Sequence, residues 1–370
     1  MQIRAIFRII FAVSAFLIFT TSEIGAVDVA DGAAFNAAIL SNTQDITFTN
    51  SSIQGVENRT ISYSKTFYVN GHAATTLNSG GNRTLTLNSG LSLTFYNNII
   101  FADTIKLTFN NSVLNVYGTL EIRGGITNNS NSSLLINPSA NLTIGNGINN
   151  NAGLEIENNG TLTINGGMVN NNSSLTVAGN LITINGGMSI TNTFTIAGTG
   201  DIILNGGMNN GSGSRIIYKN SSGNLNINGN GTSNFSGTFY QSAGRTILST
   251  ATVFAGGKTI NGGTFRIESN INRALSPGYG TFNVYQPGIL EINTFASSTV
   301  TIDNNNLSVI QGTGTVRKSG AGFLNITANL SNFTGTFEQT AGLTLLNASG
   351  VKLGSTTTIT GGTYRITNAA

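Results

Sequence analysis

Apolar side chains stand two apart in short runs along most of this chain, and the runs return at a fixed interval. Leu162 and Ile164, then Ile182 and Ile184, then Ile202 and Leu204 each lead into the same corner. The corners read Asn165-Gly166-Gly167-Met168, Asn185-Gly186-Gly187-Met188 and Asn205-Gly206-Gly207-Met208, 20 residues apart. Two-residue alternation predicts strands rather than helices. A fixed period of this length predicts a solenoid, whose single coil cannot bury its apolar side chains without neighbours. The expected fold is all-β: a single-stranded right-handed parallel β-helix, or β-solenoid, with about 20 residues per coil and a short N-terminal capping helix.

The capping helix is expected over Asp31 to Leu40, where Asp31 can accept from the first turn and Phe35, Ala38 and Ile39 share a face. Asp45 to Thr49 follows as a strand with Ile46 and Phe48 on one side. Cap and strand together suit the open end of a solenoid, which must be covered. Strands are then expected at Thr84 to Leu87, Leu91 to Phe95, Ile105 to Phe109 and Val113 to Tyr117. Between strands lie Asn88-Ser89-Gly90, Asn110-Asn111-Ser112, Asn128-Asn129-Ser130-Asn131 and Asn149-Asn150-Asn151, read as turns. Gly124-Gly125 and Asn146-Gly147 look like earlier, degenerate corners of the same series.

One strand layer per coil, at about 4.8 Å, makes a rod of roughly 80 Å. Equivalent residues must then stack. Asn165, Asn185 and Asn205 are expected to form a corner ladder of paired amides rather than a row of ligand contacts. Met168, Met188 and Met208 are expected to fill core rather than line a binding strip.

The ends and the composition add compartment and limits. Arg4 and Arg8 precede the apolar stretch Ile9 to Phe19, and Gly25-Ala26 offers a small-residue cleavage point. This pattern predicts a secretory signal peptide. Nothing later is apolar enough to cross a membrane as a helix, so no transmembrane segment is expected in the mature chain. With no cysteine, packing and backbone pairing must supply stability. Charged residues are 8% and the net charge is +3, read as a few excess Lys and Arg over a neutral surface. No basic run suits nucleic acid.

A second, longer repeat occupies the last third. Ser233-Asn234-Phe235-Ser236-Gly237-Thr238-Phe239-Tyr240-Gln241 matches Ser331-Asn332-Phe333-Thr334-Gly335-Thr336-Phe337-Glu338-Gln339, an offset of 98 residues. Gly262-Gly263-Thr264-Phe265-Arg266-Ile267 matches Gly361-Gly362-Thr363-Tyr364-Arg365-Ile366 at 99. Each unit is therefore expected to span three to five coils. The blocks Lys318-Ser319-Gly320-Ala321-Gly322-Phe323-Leu324, Asn332-Phe333-Thr334-Gly335 and Gly361-Gly362-Thr363-Tyr364-Arg365-Ile366 carry a resemblance. In that order they resemble the autotransporter-associated β-strand repeat of bacterial type V passenger domains. Lys318, Gly320, Gly322 and Leu324 fit the family's first element; in the earlier copy Lys219, Gly223 and Leu225 fit, and Ser221 replaces a glycine. The resemblance covers about residues 215 to 370. It implies a β-helical passenger at a bacterial surface. Members typically end in a membrane β-barrel, and no series of ~10-residue alternating strands with aromatic girdles precedes Ala370. The expected organisation is 1–26 signal peptide, 27–60 cap and first coils, 61–210 regular coils, and 211–370 two repeat units.

Candidate chemistry is sparse. A β-helix lyase or hydrolase needs clustered carboxylates. Here Asp103, Glu121, Glu155, Glu157, Asp201, Glu268, Glu291, Asp303 and Glu338 are scattered, with only Glu155 and Glu157 on one strand face. His72 is the only histidine and reads as a turn residue after Asn70-Gly71. No catalytic, cofactor-binding or metal-ligating residue is expected, and no cofactor. Asn58-Arg59-Thr60 and Asn325-Ile326-Thr327 would accept glycans only in a eukaryotic secretory route. The expected function is a non-enzymatic, exported surface protein, a passenger-like adhesin or stalk, secreted or held at the bacterial surface. Its expected contacts are multivalent, with glycans, host matrix or like chains. Tyr117, Tyr218, Tyr240 and Tyr285 are candidates for sugar stacking wherever exposed. The alternatives are a β-helix polysaccharide lyase or hydrolase and an ice- or surface-binding solenoid, the last needing a regular threonine ladder.

Overall fold

A computed structural model describes residues 26–171, 173–210, 215–229, 234–249, 253–269, 273–275, 280–303, 310–328, 330–347 and 353–367. The segment read as a signal peptide falls outside these residues up to position 25, as does Ser233 of the first repeat block.

The strands run in a cycle through three walls, and every pairing joins one coil to the next in parallel. The first wall is a 14-stranded sheet from Val27–Val29 to Ile310–Gln311. The second is a 15-stranded sheet from Ser52–Ile53 to Thr356–Ile359. The third wall is broken into sheets of eight, two and five strands. The result is a β-solenoid of about 14 turns with ~21 residues per turn and, among the described residues, one short helix. The wall strands are short because each corner consumes residues. Thr161–Ile164 is typical: Leu162 and Ile164 point inward, Thr161 and Thr163 outward. One continuous apolar cluster runs from Val29 to Leu353 through the middle of the coil. Each fully buried Leu, Ile or Phe in it contributes about 1.5–3 kcal/mol.

The helix expected at the N-terminal end is present as α1, Gly32–Leu40. The Asp31 carboxylate accepts from Ala34 N–H at 2.8 Å, which satisfies one of the helix's free donors. Phe35, Ala38 and Ile39 are buried over the first coils. Phe35, Phe48, Phe67 and Phe95 continue inward as a column of rings, with centroids 6.1, 6.0 and 4.7 Å apart. Asn36 locks the cap in register by donating to Gly55 O and accepting from Glu57 N–H.

Each letter of the Asn-Gly-Gly-Met corner has a separate physical cause. Asn185 donates to Asn165 Oδ1 and Asn205 to Asn185 Oδ1, both at 2.8 Å, and Asn228 extends the ladder. A β-carbon at Gly186 would stand 2.4 Å from Gly167 N of the preceding coil. Gly187 turns the chain at φ 77°, a left-handed conformation that favours glycine. Met168, Met188 and Met208 pair in register and are buried, as core. Gly125 and Gly147 do belong to the series: the stacked left-handed glycines run Gly125, Gly147, Gly167, Gly187, Gly207.

Two expectations need correction. The Asn128 and Asn150 clusters are not wholly turns. Asn128 and Asn150 end strands and, with Asn170, point into the core with no exposed surface. They survive burial because Asn128 donates to Asn150 Oδ1 at 2.9 Å and Asn150 to Asn170 Oδ1 at 3.2 Å. The lysines, read as surface charge, are largely interior. Lys65, Lys219, Lys258 and Lys318 are each at most 1% exposed. Lys219 Nζ donates to the carbonyls of Ser221, Gly223 and Ala243, at 2.6, 2.8 and 3.4 Å. Lys318 Nζ does the same to Ser319, Gly320 and Ala341, at 2.9, 2.7 and 3.2 Å. Carbonyls exposed by a tight inward bend thus find a three-donor partner. Beside each lysine in the next coil, Gln241 and Gln339 donate to Gly244 O and Gly342 O.

The two long repeat units therefore share their interior chemistry, but not their position. Lys219 lies on a strand of the first wall, Ile216–Lys219. Lys318 lies on one of the second wall, Thr315–Ser319. The second unit begins thirteen strands later in the three-wall cycle, four and a third circuits on, so it is turned by one wall about the axis. The same inward lysine works from either wall because the device involves only its own corner and the next coil.

Candidate functional site

With apolar residues and most lysines inside, chemistry on the outside is set by the outward half of each strand. The first wall carries the most distinctive arrangement. Tyr68 projects from Lys65–Val69, and Tyr96 and Tyr117 directly follow Ser92–Phe95 and Val113–Val116. Parallel register brings the three into one row. The rings of Tyr68 and Tyr96 lie 5.2 Å apart at 4°, and those of Tyr96 and Tyr117 lie 4.7 Å apart at 13°. Tyr96 and Tyr117 are 43% and 46% exposed. Partial burial, then the Asp45 carboxylate and the neighbouring ring, raises the Tyr68 hydroxyl above its ordinary value. Burial, then Tyr117 and Asp45, raises that of Tyr96.

Of the four tyrosines expected to matter, Tyr218 and Tyr240 also meet on this wall, with centroids 5.2 Å apart. Tyr285 is exposed after Phe282–Val284 of the same wall and is not paired in that row. The inclusion of Tyr68 and Tyr96 with Tyr117 was missed in the sequence. Its signal is a tyrosine in each of three consecutive coils, one residue after a buried first-wall apolar: Phe67, Phe95 and Val116.

The tyrosine row gives way to asparagine. Register places Asn137 and then Asn159 in line with Tyr117, because Val116 pairs with Ile136 and Ile136 with Asn158. A cavity of about 110 Å³ opens there, lined by Tyr117, Leu135, Asn137, Glu157 and Asn159 among others. Asn159 Nδ2 donates to Glu157 Oε1 at 3.2 Å. A larger hollow of about 370 Å³ lies on the same wall over Ser133, Glu155 and Thr176, which are in register. Glu155 and Glu157 thus do share an outward face, as the alternation implied.

The other carboxylates go elsewhere. Asp201 accepts from Asn224 N–H at 2.7 Å and from its carboxamide at 3.0 Å, tying two coils at a corner. Glu121 pairs with Arg123 at 2.9 Å. Asp103 lines a hollow of about 300 Å³ with Arg83 and Lys106. On the second wall, register produces a ladder of alternating charge: Arg266, Glu291, Arg317, Glu338. Glu291 meets Arg245 at 3.2 Å and Arg266 at 3.3 Å, and Ser319 donates to it at 2.7 Å. Arg317 meets Glu338 at 2.8 Å. These acids are less scattered than the sequence suggested: Glu291 sits between Arg266 and Arg317, and Glu338 sits between Arg317 and Thr358, as at the end of an ion-pair ladder. Among the described residues, no group of three or more His, Cys, Asp or Glu could hold a metal. His72 is an exposed bend residue whose Nε2 contacts Thr49 O.

Threonines do align, in single rows. Thr143, Thr163 and Thr183 stack on the second wall, bounded by Glu121 and Ile203. Thr60, Thr86, Thr108 and Thr127 stack on the third, bounded by Asn149. Among the described residues no helix is long and apolar enough to cross a membrane. Compared with protein-family models, curated proteins and solved structures, the chain matches none.

Proposed function

We propose that this chain is an exported, non-enzymatic surface protein, a passenger-like adhesin or stalk that makes multivalent contacts with glycans, host matrix or like chains. The observation that carries this reading is the outward face of the first wall. Three stacked tyrosines lead into asparagines and two carboxylates, laid out along successive coils rather than gathered into one deep pocket. A repeated, shallow surface binds weakly at each position and gains avidity by repetition.

Several features support it. The order of the inward lysine, the Asn-Phe block and the Gly-Gly corner in both repeat units is similar to passenger repeats, and Arg4 to Ala26 has the pattern of an export signal. Glu291 and Glu338 are paired with arginine on the second wall, and the first-wall Glu155 and Glu157 have no further acid in register in the adjoining coils. A second reading, an ice- or surface-binding solenoid, is favoured by the threonine rows of three and four, which are single and short.

The test is to probe the purified chain on arrays of glycans, matrix proteins and an immobilised copy of itself, with calcium varied. Binding to a narrow class with no product released supports the proposal. Release of oligosaccharide replaces it with an enzyme, and a blank array leaves only a stalk.

A further inference from the structure

We infer that Tyr117, together with Asn137, Asn159 and Glu157, forms a subsite for one neutral pyranose ring at the end of the tyrosine row. This inference rests on the surface-protein reading and names the class of ligand its first wall would take.

The argument starts from which aromatic faces are free. Carbon contacts need about 3.5–4.0 Å, so a sugar between two rings needs about 7 Å. Tyr68, Tyr96 and Tyr117 lie 5.2 and 4.7 Å apart. The faces between them are therefore closed to a ligand. Tyr96 covers one face of Tyr117. The other faces the next coil, where register places Asn137 instead of a ring. Asn137 does not fill that space, because its carboxamide bends back to donate to Val116 O at 3.2 Å. The cavity of about 110 Å³ lies at this position.

Its lining fits a sugar ring. The face of an aromatic ring carries negative potential, which attracts the slightly positive axial C–H groups of a pyranose. Leu135 extends the apolar floor beside Tyr117. Asn115, Asn137 and Asn159 offer both donors and acceptors, and Glu157 accepts only, so vicinal hydroxyls find partners of both kinds. Asn159 holds the Glu157 carboxylate in place, which lowers the ordering cost on binding. No Lys or Arg lines the cavity or the neighbouring hollow over Glu155. The site therefore selects against uronates and other acidic sugars and for neutral pyranosides with axial C–H on one face. The cavity is well below the ~300 Å³ of ordinary ligand pockets, so it takes one ring. The hollow over Ser133, Glu155 and Thr176 on the same wall can receive the next residue of a chain.

The experiment titrates the full chain with methyl glucoside, methyl galactoside, methyl mannoside and their neutral trisaccharides, followed by saturation-transfer NMR and calorimetry, with methyl glucuronide as the acidic comparison. Tyr117→Ala, Tyr117→Phe, Glu157→Gln and, on the second wall, Glu121→Gln are measured beside the parent, each checked by circular dichroism. Expected is binding of at least one neutral pyranoside, with saturation transfer strongest at its axial C–H protons, and none of the glucuronide. Tyr117→Ala weakens binding roughly ten-fold and Glu157→Gln several-fold, Tyr117→Phe loses less than Tyr117→Ala because it keeps the ring, and Glu121→Gln on the second wall stays within about two-fold. Undiminished binding in a folded Tyr117→Ala protein overturns the subsite, as does preference for the glucuronide. If the parent binds matrix protein or its own copies but no neutral pyranoside, the subsite falls and the multivalent surface reading stands.

Discussion

The ammonium of Lys318 stands 2.7 Å from where a β-carbon on Gly342 would be, beside the Gly322 and Gly320 carbonyl oxygens at 2.3 and 2.5 Å. Lys219 and Gly244 repeat the relationship at 2.6 Å, one wall earlier. Each glycine is left-handed, at φ 73° and 64°. In both repeat units the inward lysine and the glycine of the next coil are therefore one device. The glycine is needed twice, for its backbone and for the room it leaves.

The first prediction concerns that pair. Gly342→Ala places a side chain on a left-handed backbone, which costs about 1–3 kcal/mol, and pushes the ammonium off its carbonyls. Lys318→Met removes the donor to Ser319, Gly320 and Ala341 and costs about 1–3 kcal/mol for the carbonyls left facing inward. Because both act on one contact, the double variant is less destabilised than the two costs added. Thermal or denaturant unfolding of the four proteins measures this, and strict additivity would count against the coupling.

The buried lysines also set a pH dependence. Burial pulls Lys219 and Lys318 down to about 8 and Lys258 down to about 7, from 10.5. Between those values and 10.5 the unfolded chain binds more protons than the folded one, so stability rises with pH. Tyr68, Tyr96 and Tyr364 are raised above 10.0 by burial, so the folded chain keeps protons the unfolded one loses, and stability falls beyond pH 10. The melting temperature should therefore rise from about pH 7 and peak near pH 10. A steady decline from pH 7 upward would contradict this.

Two asparagine ladders should behave oppositely. Asn150→Ala interrupts an interior ladder and strands Asn128 and Asn170 without their partner, at a cost of about 1–3 kcal/mol. Asn185→Ala interrupts an exposed ladder whose neighbours can turn to water, and should stay within about 0.5 kcal/mol. Equal losses at the two positions would contradict the difference in burial.

Glu291 anchors the charged ladder of the second wall. Its side chain is 11% exposed and lies against Arg245 and Arg266. Glu291→Gln leaves two arginines crowded without their shared carboxylate and should lower stability by about 1–3 kcal/mol. Glu121→Gln, whose partner Arg123 is 43% exposed, should cost less than about 1 kcal/mol. Unfolding in low and high salt distinguishes them, since the exposed pair alone is well screened.

The coil, its cap and its glycine corners were legible in the sequence because each has a local cause. Asp31 caps α1 through its own first turn, and Gly167, Gly187 and Gly207 answer a backbone that only glycine accepts readily. What was not legible depends on register between coils. Asn128 and Asn150 read as turn residues, since nothing local tells that they point inward at each other. Lys219 and Lys318 read as surface charge, since their carbonyl partners arise only when the corner bends over them. The tyrosine row and the Arg–Glu ladder required the pairing of strands ~20 residues apart, with spacings that drift from coil to coil. A strict 20-residue count misses them.

The central claim is that the outward first wall binds weakly and repeatedly, without turnover. The most direct test is to measure binding of the full chain to surfaces carrying a neutral glycan at graded density, while assaying the solution for released sugar. Apparent affinity that climbs 10²–10⁴-fold with density, with no sugar released, is the predicted result. Binding independent of density, or any release of oligosaccharide, would contradict the claim.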